Sequence, residues 1–237
     1  MSTAIDEKLD IRLPRGFGGR FYGVYPGLVT DVADPQGQGR VRVRLPWSPD
    51  NQGASYEAWA RLATLMAGNN RGSWFIPDPD DEVLLAFEAG DPRRPVVVGA
   101  LWNGQDAPPE RMDDAGQNNL KTLRSRNGVR ISMNDQKGQE SLTLKTPGGQ
   151  TLVLEDGPGV IEVRDSNGNS VRFDSSGITV NAASKVTINA GAGVEVTAAM
   201  LTVNAAMSRF SGVLQADTVI TNSVISASYT PGAGNIW

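Results

Sequence analysis

Neither cysteine nor histidine occurs in the 237 residues. The first absence excludes a disulfide framework and any thiolate-bound metal. The second removes the commonest general base, any Ser-His-Asp triad and the usual zinc or iron ligand. Long apolar runs are also missing: none approaches the about 20 residues a membrane-spanning helix needs. The N-terminus has no apolar signal-type stretch, because Asp6, Glu7, Lys8 and Asp10 crowd it, so no signal peptide is expected. Excess charge of one sign is lacking too. With 22 Lys and Arg against 26 Asp and Glu, the net charge is -4, which gives no whole-chain attraction to nucleic acid or an anionic membrane.

What is present is divided unevenly. Trp47, Trp59, Trp74 and Trp102 lie in the first half, and eleven of the fourteen prolines precede Glu110. Beyond Leu120 the large aromatics are only Phe173, Phe210, Tyr229 and Trp237. An aromatic-cored domain is therefore followed by something repetitive and rich in small residues. Between them, Asn103-Gly104-Gln105-Asp106-Ala107-Pro108-Pro109-Glu110 reads as an extended linker. The expected divisions are an extension over 1–21, a barrel over 22–104, a linker over 105–119, a needle over 120–227 and a tail over 228–237.

The first half reads as strands. Arg40-Val41-Arg42-Val43-Arg44-Leu45 alternates strictly, so Val41, Val43 and Leu45 share one face. It follows a turn at Asp34-Pro35-Gln36-Gly37-Gln38-Gly39. Segments at Leu28–Asp31, Trp59–Ala63, Glu82–Phe87 and Pro95–Gly99 complete about five strands, which suits a small Greek-key barrel of OB type. The fold class expected for the whole chain is all-β.

The second half is a train of short alternating segments divided by turns, such as Pro147-Gly148-Gly149 and Asn167-Gly168. After Gly177 the spacing tightens. Ile178 and Val180, Val186 and Ile188, and Val194 and Val196 recur at intervals of eight. The period slips at Leu201 and Val203 and loosens beyond them. So thin a stripe buries too little to offset backbone ordering, which costs about 1–2 kcal/mol per residue. It must stack on something, either by coiling on itself or by wrapping around identical stripes of other chains. Periodicity alone leaves both open.

The first half resembles a known family. Tyr22-Gly23-Val24-Tyr25-Pro26-Gly27-Leu28-Val29-Thr30-Asp31 is similar to the opening strand of phage baseplate assembly protein V. Asp34 to Trp47, Trp59-Ala60-Arg61-Leu62, Gly72-Ser73-Trp74-Phe75-Ile76-Pro77, Phe87 to Gly99 and Leu101-Trp102-Asn103-Gly104 follow in that family's order. The same domain occurs in the VgrG spikes of type VI secretion and in extracellular contractile injection systems. The resemblance implies an OB-fold followed by a triple-stranded, intertwined β-helix built by three chains. The implied role is structural, with no enzymatic activity and no cofactor: the central spike of a contractile baseplate, joined to hub and tube and puncturing the target membrane. Ile178, Val180, Val186, Ile188, Val194 and Val196 become the expected trimer core.

Departures from the family refine this. Only about 21 residues precede Tyr22, so the hub is expected to be a separate chain. Residues 105–120 are too few for a lysozyme insertion. Without His, the chain cannot build the iron-bound tip of some short phage spikes, so a separate PAAR-type tip protein is expected. Its seat is expected at Tyr229, Thr230, Pro231, Gly232, Asn235, Ile236 and Trp237, where a nearly uncharged end carries aromatics. Assembly is expected in the bacterial cytoplasm, into a phage, bacteriocin or extracellular injection particle.

Two clusters invite other readings. Arg40, Arg42 and Arg44 could track nucleic acid, as OB-folds can, but a solvated or subunit-facing edge is favoured and no nucleic-acid partner is expected. Asp78, Asp80, Asp81 and Glu82 could hold Ca²⁺, but their spacing is not that of an EF-hand, and no metal or catalytic site is assigned. The alternatives are a receptor-binding fibre and a carbohydrate-active β-helical tail protein.

Overall fold

The computed structural model describes residues 19–49 and 55–228. The chain separates into two units, Met1–Lys185 and Val186–Trp237.

The first unit opens with β1 (Val24–Asp31), β2 (Val41–Pro49) and β3 (Ser55–Leu62). A small hairpin follows, β4 (Ala67–Gly68) with β5 (Arg71–Gly72), and then β6 (Glu82–Phe87) and β7 (Pro95–Ala100). Five of these close a barrel in the order β1-β2-β3-β7-β6. All its pairings are antiparallel except β3 with β7, where Arg61 meets Val96 and Leu62 meets Val97. Closure removes free sheet edges.

Strict alternation places Val41, Val43 and Leu45 inside with Val29, Val83 and Leu85, all at most 1% exposed. At one end Phe21, Tyr25, Trp47 and Phe87 form an aromatic cluster with ring centroids 4.9–5.8 Å apart. The Trp47 indole donates to the Pro26 carbonyl at 2.7 Å, which satisfies its polar atom. Gly27 is required within β1, since a Cβ there would lie 2.7 Å from Leu85 Cδ1 and 3.3 Å from the Arg44 carbonyl oxygen.

Beyond the barrel, seven strands of five residues each form an antiparallel meander. They are β8 (Leu120–Arg124), β9 (Arg130–Asn134), β10 (Ser141–Lys145), β11 (Thr151–Glu155), β12 (Val160–Arg164), β13 (Ser170–Asp174) and β14 (Gly177–Asn181). Turn chemistry fixes their length. At Asn167-Gly168, Asp165 accepts the backbone N–H of Asn167 at 2.9 Å and of Asn169 at 2.8 Å, and Gly168 adopts φ +90°. Two ion pairs anchor the start of the meander: Arg126 to Asp78 and Arg130 to Glu110, both at 2.6 Å.

The stretch expected as a single needle, 120–227, thus has two parts: a hydrogen-bonded sheet as far as Asn181, and then a run with no strand pairing among the described residues. The physical reason is local. Gly- and Asp-bearing turns let the earlier segments pair as hairpins within one chain. The later segments are joined by single bends that carry the chain onward without returning it to its neighbour.

Candidate functional site: an uncovered apolar face

The register of the meander aligns side chains across all seven strands. Leu123 lies opposite Ile131, Ile131 opposite Leu144, and Leu144 opposite Leu152. Leu152 continues to Val163, Val163 to Val171, and Val171 to Val180. A second row runs two residues away in each strand from β9 onward: Met133, Leu142, Leu154, Ile161, Phe173 and Ile178, with Lys121 in the corresponding place on β8. Side chains two apart in a strand share a face. One face therefore carries two apolar rows, while the other presents Thr122, Ser132, Thr143, Val153, Glu162, Arg172 and Thr179.

The apolar face is not covered within the chain. Val163, Val180 and Leu123 are about half exposed and Ile178 is 67% exposed. A sheet this apolar on one side requires a partner layer, and contiguous apolar patches of this extent mark interaction surfaces.

The expected trimer-core residues divide between the two units. Ile178 and Val180 end the two rows on β14. Val186, Ile188, Val194 and Val196 lie in the second unit, where residues 186–228 are all exposed. The expected tip seat at 229–237 lies outside the described residues.

The other clusters have structural roles. Arg40 donates to Asp34 at 2.7 Å and sits over the Trp59 ring at 5.7 Å. Arg42 pairs with Glu57 at 2.7 Å. Two of the three arginines are therefore occupied by acids of their own domain. The Arg40 guanidinium, with the backbone N–H groups of Gln36, Gln38 and Arg40, holds the Asp34 carboxyl well below the usual carboxylate range. Asp34 thus locks the turn into β2.

Three of the four carboxylates at 78–82 have separate partners. Asp78 meets Arg126, Asp81 accepts the Asp78 backbone N–H at 2.8 Å, and Glu82 accepts Asn103 Nδ2 at 2.8 Å. Among the described residues, no three acids converge to hold a metal ion.

One surface went unassigned in the sequence. The segment around the β4–β5 hairpin exposes Leu65 (99%), Met66, Trp74 and Phe75 beside a cleft of roughly 1070 Å³. Its signal was present in Trp74-Phe75, two aromatics between Gly72 and Pro77 with no alternating strand around them.

Residues 25–102 match the type VI secretion system/phage-baseplate injector OB domain, and residues 141–215 match the phage baseplate V C-terminal trimerisation domain. The chain thus carries an injector OB domain and a phage baseplate V trimerisation domain. The trimerisation match begins at β10 and includes both apolar rows from there to β14, together with Val186, Ile188, Val194 and Val196.

The chain is similar to the type VI secretion system spike protein VgrG1b of Pseudomonas aeruginosa. The two are 33% identical over 138 residues, covering 52% of this chain and 19% of the relative. VgrG1a of the same organism matches equally, with 22% of its length covered. VgrG3 of Vibrio cholerae is 30% identical over 130 residues, covering 49% of this chain and 13% of the relative. The chain thus matches about a fifth or less of the length of these curated relatives.

Proposed function

We propose that three copies of this chain form the central spike of a contractile injection machine. The observation that carries this reading is the pair of apolar rows on one face of the meander, left uncovered and, from β10 onward, lying in a segment that matches a trimerisation domain. Three copies turning these rows toward one axis would bury them together, at about 25 cal/mol per Å² of apolar surface removed from water. The apolar residues that recur beyond Lys185 pack in the same trimer around identical stripes of the other chains, as a needle.

In this reading the barrel is the base that meets a separate hub protein, and the exposed Leu65, Trp74 and Phe75 suit such a contact. The C-terminal end carries a PAAR-type tip protein. Contraction of a surrounding sheath drives the assembly through a target membrane, so the work is mechanical and needs no covalent chemistry. The particle is assembled in the bacterial cytoplasm. Imaging of the purified parent particle tests the placement. Density for this chain at the centre of the baseplate is expected, whereas density at the periphery would favour a receptor-binding fibre.

A further inference from the structure

The second unit has a rhythm that changes along its length. The chain bends at 191–192, 199, 206, 212, 217, 222 and 227. The stride between bends is thus seven or eight residues, then seven, then six, then five three times over. The side chains keep pace with these bends. Counting from each bend, the large apolar residues at the second and fourth positions (Leu201, Val203, Phe210, Leu214, Val219, Val224) are 64–70% exposed. Those at the first and third positions (Met200, Met207, Val213, Ile220, Ile225) are 81–99% exposed. The two sets do not overlap, so each stride has one consistently less exposed face, here called the inner face, reset at every bend.

The inner face also loses volume. Leu201 is accompanied at the fourth position by Val203, but Leu214, Val219 and Val224 are accompanied only by Ala216, Thr221 and Ser226. Stride length and inner side-chain volume therefore fall together.

We propose that the needle narrows toward its C-terminal end because each chain contributes a progressively shorter strand per turn, with Val219 and Val224 on the axis and Ile220 and Ile225 outside. This rests on the trimeric reading. At about 3.3 Å per residue, a stride of eight spans about 26 Å and a stride of five about 16 Å. A side built from the shorter stride encloses a smaller cross-section, which holds one large side chain per chain per layer instead of two. The same driving force then acts over a smaller area.

An unbroken repeat of eight makes the opposite assignment. Counting on by eights from Val196 places Ile220 on the axis and turns Val219 outward. The chain has no native cysteine, so single replacements report facing directly, and cysteine is close to valine in size. Maleimide labelling of purified Val219→Cys and Ile220→Cys, with native mass recorded for each, tests the assignment. Val219→Cys is expected to react at least about tenfold more slowly than Ile220→Cys, since thiol reactivity follows exposure, and both are expected to be trimers. Equal rates, or a protected Ile220→Cys, in a trimer would overturn the narrowing alone. Unmodified protein that is a monomer would overturn the trimeric reading beneath it. As a second measurement, density of the trimer is expected to be visibly thinner beyond Gly212 than at Val194, and uniform width would also overturn the proposal.

Discussion

Val180 stands directly opposite Val171 in the β13–β14 ladder. Through that pair, the apolar row that begins at Leu123 reaches the last strand of the sheet, where the eight-residue recurrence of apolar pairs begins with Ile178 and Val180. The proposed trimer interface therefore takes in the whole sheet, and the recurring apolar residues of the second unit belong to it as well.

Charge placed in that interface should prevent assembly. Val171→Asp and Val186→Asp would each bring three like-charged carboxylates together in an apolar setting, at a cost of several kcal/mol even if they become protonated. Thr179→Asp, on the opposite face of the sheet, and Lys185→Asp should leave the trimer intact. Size-exclusion chromatography of the four variants checks this. Normal trimer from Val171→Asp would show that the apolar rows are not the interface.

Removing bulk from the barrel should act differently. Leu85 is fully buried, and Leu85→Ala should destabilise the barrel by about 2–5 kcal/mol. It touches neither row, so the oligomeric state should be unchanged. A thermal melt followed through Trp fluorescence, together with the native mass, separates the two effects.

The turn into β2 should respond to acid. The Arg40 guanidinium and three backbone N–H groups hold the Asp34 carboxyl well below the ordinary carboxylate range. Its stabilising contribution is therefore fully present above about pH 4, and is lost as pH falls through the lowered folded-state value. Asp34→Asn should lower the barrel melting temperature at pH 7, and the gap to the unmodified protein should shrink as pH drops below 3.8. A gap that stays constant down to pH 2 would mean that charge on Asp34 is not what holds the turn.

The tail should be separable from the trimer. Deleting residues 228–237 should leave assembly unchanged and abolish co-purification with a tip protein. The expectation comes from Tyr229, Ile236 and Trp237 closing a stretch in which Lys185, Glu195, Arg209 and Asp217 are the only ionisable side chains after Val180. Full capture of the tip protein by the truncated chain would move the seat elsewhere.

Much of the barrel was legible because its signals are local. Val41, Val43 and Leu45 alternate without interruption, and the Asp34–Gly39 turn announces the hairpin. The start of β1 was less legible, because Tyr25-Pro26-Gly27 does not alternate, and Gly27 is selected by the approach of Leu85 from another strand. The parallel closure of β3 on β7 joins residues far apart in sequence and leaves no local mark. The apolar rows depend on register between strands, so Leu123, Ile131 and Val163 look unrelated until the turns align them. Only Ile178 to Val196 kept one period long enough to be read. The apparent loosening after Leu201 coincides with the progressive shortening of the stride between bends.

The most direct test of the account is the native mass of the purified full-length chain. A single species of three 25.2 kDa chains is expected, with no folded monomer at low concentration. A stable, folded monomer would contradict it, because the two apolar rows of the meander would then face water with no partner.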